Sequence, residues 1–99
     1  MQAATIIRTL REHEGKLRSV GVEHLSLFGS WARGSADPAR SDIDLIADFD
    51  SAREYSLLDR VRLENRLADI LGAKVDLVPA PALKDGIRER AVREAVSAF

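Results

Sequence analysis

The residues of this chain best suited to chemistry fall in a short central stretch, with one outlier near the C-terminal third. Asp42 and Asp44 stand two apart in SDIDLIADF. Residues so spaced on an extended strand share a face and lie about 6.5 to 7 Å apart along it. Two carboxylates in that arrangement can reach one metal ion, or bridge two ions about 3.5 to 4 Å apart. Hard oxygen ligands suit Mg²⁺ or Mn²⁺. With no cation, the like charges repel and one carboxyl tends to protonate. Taken alone, the pair also reads as a strand start with Asp44 facing water.

Just upstream, LFGSWARG carries a second feature. Gly29 lets the chain turn tightly and brings backbone N–H groups close to a ligand. Ser30 offers a hydroxyl and is placed to cap a short helix, whose N-terminus attracts anions. A phosphate has a seat there, although a lone Gly-Ser is also an ordinary turn and cap. The outlier is Asp76 in AKVDLVP, at about the same depth in its strand as Asp44. Parallel, in-register pairing places the two on one face. An aspartate between Val75 and Leu77 needs compensation in a strand, unless it faces solvent at a sheet edge. Asp59, Asp69 and Asp85 read as solvated helix residues, and Asp48 and Asp50 lie too far along the strand to join the others.

Arg33 and Arg40 are cations of the right kind, since guanidinium forks match phosphate oxygens. Arg33 is the phosphate-binding candidate, and Arg40 has the weaker claim. Trp31 reads as a cap on the core rather than a stacking platform. His13 falls on the apolar stripe of the first helix and His24 in or near the first strand; both read as structural.

These residues need elements to hold them. Ile6, Leu10, Leu17 and Val20, with Ile7 beside them, have helical spacing and predict a helix over 3–19, stopped at Gly21. A short apolar run predicts a strand over 22–28, then a tight turn and short helix over 29–34 and a polar loop over 35–41. The second strand covers 42–49. Its odd positions, Ile43, Leu45, Ala47 and Phe49, form the core face, and Asp42, Asp44, Ile46 and Asp48 share the other. A helix over 54–71 ends at Gly72. Its apolar residues cover more than the usual one-sided stripe, so it packs on the sheet and on a second surface, either the last helix or a partner chain. A third strand over 73–78 is closed by Pro79 and Pro81, and a last helix runs over 83–98. The first two strands pair antiparallel and the second and third parallel, through the long crossover helix. The fold class is therefore α/β (α+β): a small mixed sheet of about three strands with helices packed on it.

Ninety-nine residues make one domain, 1–99, which buries roughly two thirds of its unfolded surface. The 15 basic and 16 acidic residues leave a net charge of −1, which argues against a general polyanion binder and against direct nucleic-acid binding. The absence of cysteine excludes disulfides and thiolate metal sites. No apolar run approaches the roughly 20 residues of a membrane helix, and no signal peptide is legible. We read a soluble, cytoplasmic protein.

With these residues in place, GSWARGSADPARSDIDL resembles the nucleotidyltransferase motif of the DNA polymerase β-like superfamily. The ARG after the Gly-Ser, the SDIDL wording and the short chain look most like the minimal nucleotidyltransferases, in particular the antitoxins of HEPN/MNT toxin–antitoxin systems. The late IRERAVREAV is similar to the ending of such chains. The resemblance implies a polymerase β-like fold in which Asp42 and Asp44 bind two Mg²⁺ ions and Asp76 completes the site of the ion that activates the acceptor. It implies that Gly29 and Ser30 hold the β- and γ-phosphates of ATP. It further implies transfer of AMP to a tyrosine of a HEPN ribonuclease toxin, in a hetero-oligomer, with release of pyrophosphate. Two other functions stay open: transfer to a small-molecule or RNA hydroxyl, and a non-catalytic antitoxin that acts by occlusion.

Overall fold

In the computed structural model, which describes residues 2–52 and 54–99, a four-stranded mixed sheet runs through the centre. Its strands are β1 (Val22–Phe28), β2 (Ile43–Phe49), β3 (Val75–Pro79) and β4 (Val96–Ser97), in the order β3-β2-β1-β4. β1 and β2 are antiparallel and β2 and β3 parallel, as expected from the lengths of their connections. Ile43, Leu45 and Ala47 are fully buried together with Leu25, Leu27 and Leu77. The other face of β2 carries the half-buried Asp44 and Ile46 and the exposed Asp48.

Three helices cover the buried face. The expected first helix is two, α1 (Ala3–Glu12) and α2 (Glu14–Ser19), interrupted at His13, whose Nδ1 lies 2.9 Å from the Thr9 carbonyl. Ile6, Ile7, Leu10 and Leu17 still reach the core, so the break redirects the chain without changing the buried stripe. The third cover is α4 (Leu57–Leu71), which places Leu63, Leu67 and Leu71 in the core and ends at Gly72 in the left-handed conformation.

α4 starts three residues later than its apolar spacing suggests. Ser56 takes the N-cap, accepting from Asp59 N–H while the Asp59 carboxylate accepts from Ser56 N–H, a reciprocal capping box. Just before it, Tyr55 stacks on Phe49 with ring centroids 4.3 Å apart and donates its hydroxyl to the Val20 carbonyl. That anchored segment cannot also be the first turn. Leu57, Leu58 and Val61, at the start of α4, are 73%, 56% and 44% exposed. The wide apolar face is thus only partly covered, and the last helix does not cover it.

That last helix, α5 (Asp85–Glu94), follows a single 3-10 turn (Ala80–Ala82) and lies over the opposite face of the sheet, beside Ile46 and Ser26. It is shorter than its spacing suggests. Ala95 turns extended, and Val96 and Ser97 pair with Leu27 and Ser26 of β1. Ala98 N–H then donates to the Leu25 carbonyl at 2.8 Å, and Arg11 Nε to the Ala98 carbonyl at 2.6 Å. An open β1 edge is costly, and pairing it outweighs a further helical turn. The fourth strand comes from this exchange. Among the described residues no helix is long and apolar enough to cross a membrane.

Replacing Ser56 by Ala removes the α4 cap. We expect a loss of about 1 kcal/mol, a melting temperature lower by about 4–8 °C in a thermal scan, and an unchanged circular dichroism spectrum.

Candidate active site

β1 ends extended at Phe28, and the chain turns at Gly29 with φ +74 into α3 (Gly29–Arg33). This corrects the cap expected from Ser30. Phe28 occupies the N-cap, no side chain caps the helix, and Ser30 lies inside the first turn. The positive φ of Gly29 starts the helix two residues earlier than a cap at Ser30 would. Ser30 contributes instead through its carbonyl, which accepts Ser35 N–H at 2.9 Å and helps to close the C-terminal end at Gly34. A helix of five residues has little macrodipole, so any attraction for an anion here comes from the N–H groups of its first turn.

Gly29 is required for a second reason. A Cβ built on it would collide with Oδ2 of Asp44 and stand 3.2 Å from its Cγ. The backbone turn and the carboxylate are therefore in direct apposition. The register explains this, because Phe28 is the partner of Asp44 across the antiparallel pair. On the other side of β2, Asp44 is the partner of Asp76 in the parallel pair. Directly paired residues share a sheet face, so the turn, Asp44 and Asp76 form one line across three strands. Asp42 lies just before β2, half-buried, and its charge acts on Asp44.

The electrostatics follow from that line. Partial burial raises the Asp44 carboxyl above its ordinary 3.8, the charges of Asp76 and Asp42 raise it further, and Arg33 pulls it back. Two basic side chains lie at the rim. Lys74 Nζ is 3.8 Å from Asp42 Oδ2, on a largely exposed side chain, so the pair adds little. Arg33, at the end of α3, is 3.3 Å from Glu94 Oε2 near the end of α5. Both side chains are substantially exposed, so this pair too links α3 and α5 only weakly.

The donor set is all oxygen and on one face, which fits a hard divalent cation. The three aspartates are neighbours but are not drawn into a closed cage: among the described residues no group of three or more His, Asp or Glu side chains is near enough to hold a metal ion. Like charges at this spacing hold one another apart unless a cation intervenes.

The remaining candidates lie elsewhere. Trp31 is buried in the core and donates its indole N–H to the Ser41 carbonyl at 3.3 Å, as its reading as a core cap expects. Arg40 is exposed in the loop. His13 sits at the helix break and the exposed His24 on β1, both away from the acids. Sequence reasoning missed Lys74, Glu94 and Glu64, whose carboxylate accepts Leu77 N–H at 2.9 Å. Their partners are distant in the chain, and nothing in the local pattern announces them.

A crossover-linked sheet with an acidic pair opposite a Gly-Ser turn defines a class, and comparison with known proteins agrees. The nucleotidyltransferase domain family model matches residues 6–98, and the chain belongs to that family. Among curated relatives, protein adenylyltransferase MntA of Thermococcus cleftensis is 41% identical over 88 residues, covering 88% of this chain and 86% of its own length. A solved structure assigned to the minimal nucleotidyltransferases superposes with a TM-score of 0.78 at 37% identity, covering 97% of this chain and 95% of that one. A toxin–antitoxin structure determined with AMP-PNP gives 0.72 at 24% identity, covering 100% and 73% of the two chains, a likeness of fold.

Two measurements test this geometry. Gly29→Ala should destabilise the fold by about 1 kcal/mol or more, because both the positive φ and the Asp44 contact forbid a Cβ; denaturant titration reads it. Asp44→Asn should melt at the same temperature as the parent or higher, at neutral pH in the presence of a chelator. The folded chain holds the Asp44 proton to a higher pH than the unfolded chain. The parent therefore loses stability as pH rises through that interval, and the gap between the two proteins should close as pH falls towards 3.8.

Proposed function

We propose that this protein transfers AMP from ATP to a tyrosine hydroxyl of a HEPN-type ribonuclease toxin, releasing pyrophosphate and silencing the toxin. The observation that carries the proposal is the line from Gly29 through Asp44 to Asp76, with an open turn at one end and carboxylates at the other. The curated relative is named a protein adenylyltransferase. A further fold neighbour, with a TM-score of 0.66 at 22% identity, is an MNT antitoxin in complex with a tri-AMPylated HEPN toxin of Shewanella oneidensis. The AMP-PNP in the other toxin–antitoxin structure supports ATP as the donor. The reaction belongs in the cytoplasm, where ATP is made available.

In this scheme Gly29 and Ser30 present backbone N–H groups, and Ser30 its hydroxyl, to the β- and γ-phosphates. Arg33, whose charge acts on Asp44, neutralises triphosphate charge. Asp42, Asp44 and Asp76 would hold two Mg²⁺ ions, or Mn²⁺, which when bound stabilise the attacking and leaving oxygens of an in-line displacement. The acceptor oxygen forms a bond to the α-phosphorus, and the bond from that phosphorus to the bridging oxygen breaks. Pyrophosphate leaves with the electron pair, and the hydroxyl proton passes to a carboxylate or to water. Asp76, outermost on β3, is exposed and stands where an incoming hydroxyl has access. We assign the uncovered apolar start of α4 (Leu57, Leu58 and Val61) to contact with the toxin.

The test is incubation with Mg²⁺, labelled ATP and the product of the adjacent gene. Label on a partner tyrosine is the expected result, reduced about 100-fold or more by Asp44→Asn. Label confined to a small hydroxyl compound or to RNA would overturn the acceptor. Neutralisation of the toxin unaltered in an Asp42→Ala, Asp44→Ala double variant would replace transfer with occlusion.

A further inference from the structure

Asp76 has a structural weakness that its two companions lack. It sits on β3, an edge strand of the sheet. The Lys74 carbonyl accepts Ile43 N–H of β2 at 2.9 Å, which fixes which residues of β3 face inward. Backbone groups alternate along a strand, so those of Asp76 also face β2 and the N–H of Leu77 points out of the sheet. An outward N–H on an edge ordinarily meets water. Here it meets Glu64 of α4, whose Oε2 accepts it at 2.9 Å in a part-buried setting. The peptide between Asp76 and Leu77 is thereby held on both sides, by β2 through the Asp76 carbonyl and by Glu64 through the Leu77 N–H.

We propose that Glu64 is a positioning residue for the transfer reaction: by fixing the Asp76–Leu77 peptide from outside the sheet, it sets where the third carboxylate stands relative to Asp44. Asp44 and Asp76 are register partners, so a small rotation of this one peptide changes their separation directly. Charge-assisted hydrogen bonds to a backbone N–H are among the stronger ones, and α4 is a rigid base because Leu63 and Leu67, on either side of Glu64, are buried in the core. Glu64 would touch neither metal nor substrate. The inference rests on Asp76 being a metal ligand, as in the proposed function.

The experiment compares Glu64→Ala, Glu64→Gln and Asp76→Asn, with three readouts: Mn²⁺ binding to the protein alone by electron paramagnetic resonance, AMP transfer with its Mg²⁺ dependence, and amide exchange at Leu77. Glu64→Ala should weaken Mn²⁺ binding about tenfold or more, the scale seen for residues that orient metal ligands, and raise the Mg²⁺ needed for transfer. It should also accelerate exchange at Leu77. Glu64→Gln keeps an acceptor oxygen and should restore most of all three. Wild-type Mn²⁺ binding in Glu64→Ala, with binding lost in Asp76→Asn, would overturn the positioning role while leaving the site intact. Equal impairment of the Gln and Ala variants would overturn it as well. Unaltered Mn²⁺ binding and transfer in Asp76→Asn would remove the proposed site itself, and this role with it. Should Glu64→Ala fail to fold, unprotected exchange at Leu77 in the wild-type chain would refute the hydrogen bond on which the inference depends.

Discussion

Asp44 faces the Gly29 turn on one side and Asp76 on the other, and the molecule is organised around keeping that line in register. A one-residue slip in either pairing would send one carboxylate to the apolar face. The buried residues on the reverse of β2 prevent it. Ile43, Leu45 and Ala47 have no exposed surface, and the core they enter also contains Leu63, Leu67 and Leu71 of α4. Moving them outward to rescue a slipped pairing would cost roughly 1.5–3 kcal/mol for each large side chain. The apolar face thus enforces the spacing of the polar one.

Segments from across the chain also meet around the strands that carry the acids. β2 and β3 are joined by α4, whose own Glu64 returns to the edge of β3. α3 and α5 meet at the exposed pair of Arg33 and Glu94. β4 closes the other edge and is itself held by Arg11 from α1. Each of these contacts joins residues well apart in the chain.

What could be read from the amino acids and what could not separates along the same line. The alternation of β2 names its core face and its acidic face, and both appear as expected. The equal depth of Asp44 and Asp76 gives their pairing, since a one-residue shift would turn the apolar neighbours of one of them out of the core. Gly29 announces a turn, but its contact with Asp44 depends on a neighbouring strand. Ser30 does not cap because the positive φ falls one residue before it. The break at His13, the late start of α4 at Ser56 and the strand at Val96 share a cause: helical spacing continues through all three, and only tertiary partners (the bend towards β1, the anchored Tyr55, the open edge of β1) decide against it. The residue types of the candidate site are legible; the way like charges stand apart, and the outside support of Glu64, are not.

Trp31 is the chain's single tryptophan. Its ring is buried in the core, while its indole N–H reaches the Ser41 carbonyl, one peptide before Asp42. One fluorophore therefore spans the helix assigned to the phosphates and the approach to the first acid. Its emission gives an unlabelled optical signal for both halves of the site, so nucleotide and cation titrations can be followed in the same cuvette, on the protein as it is.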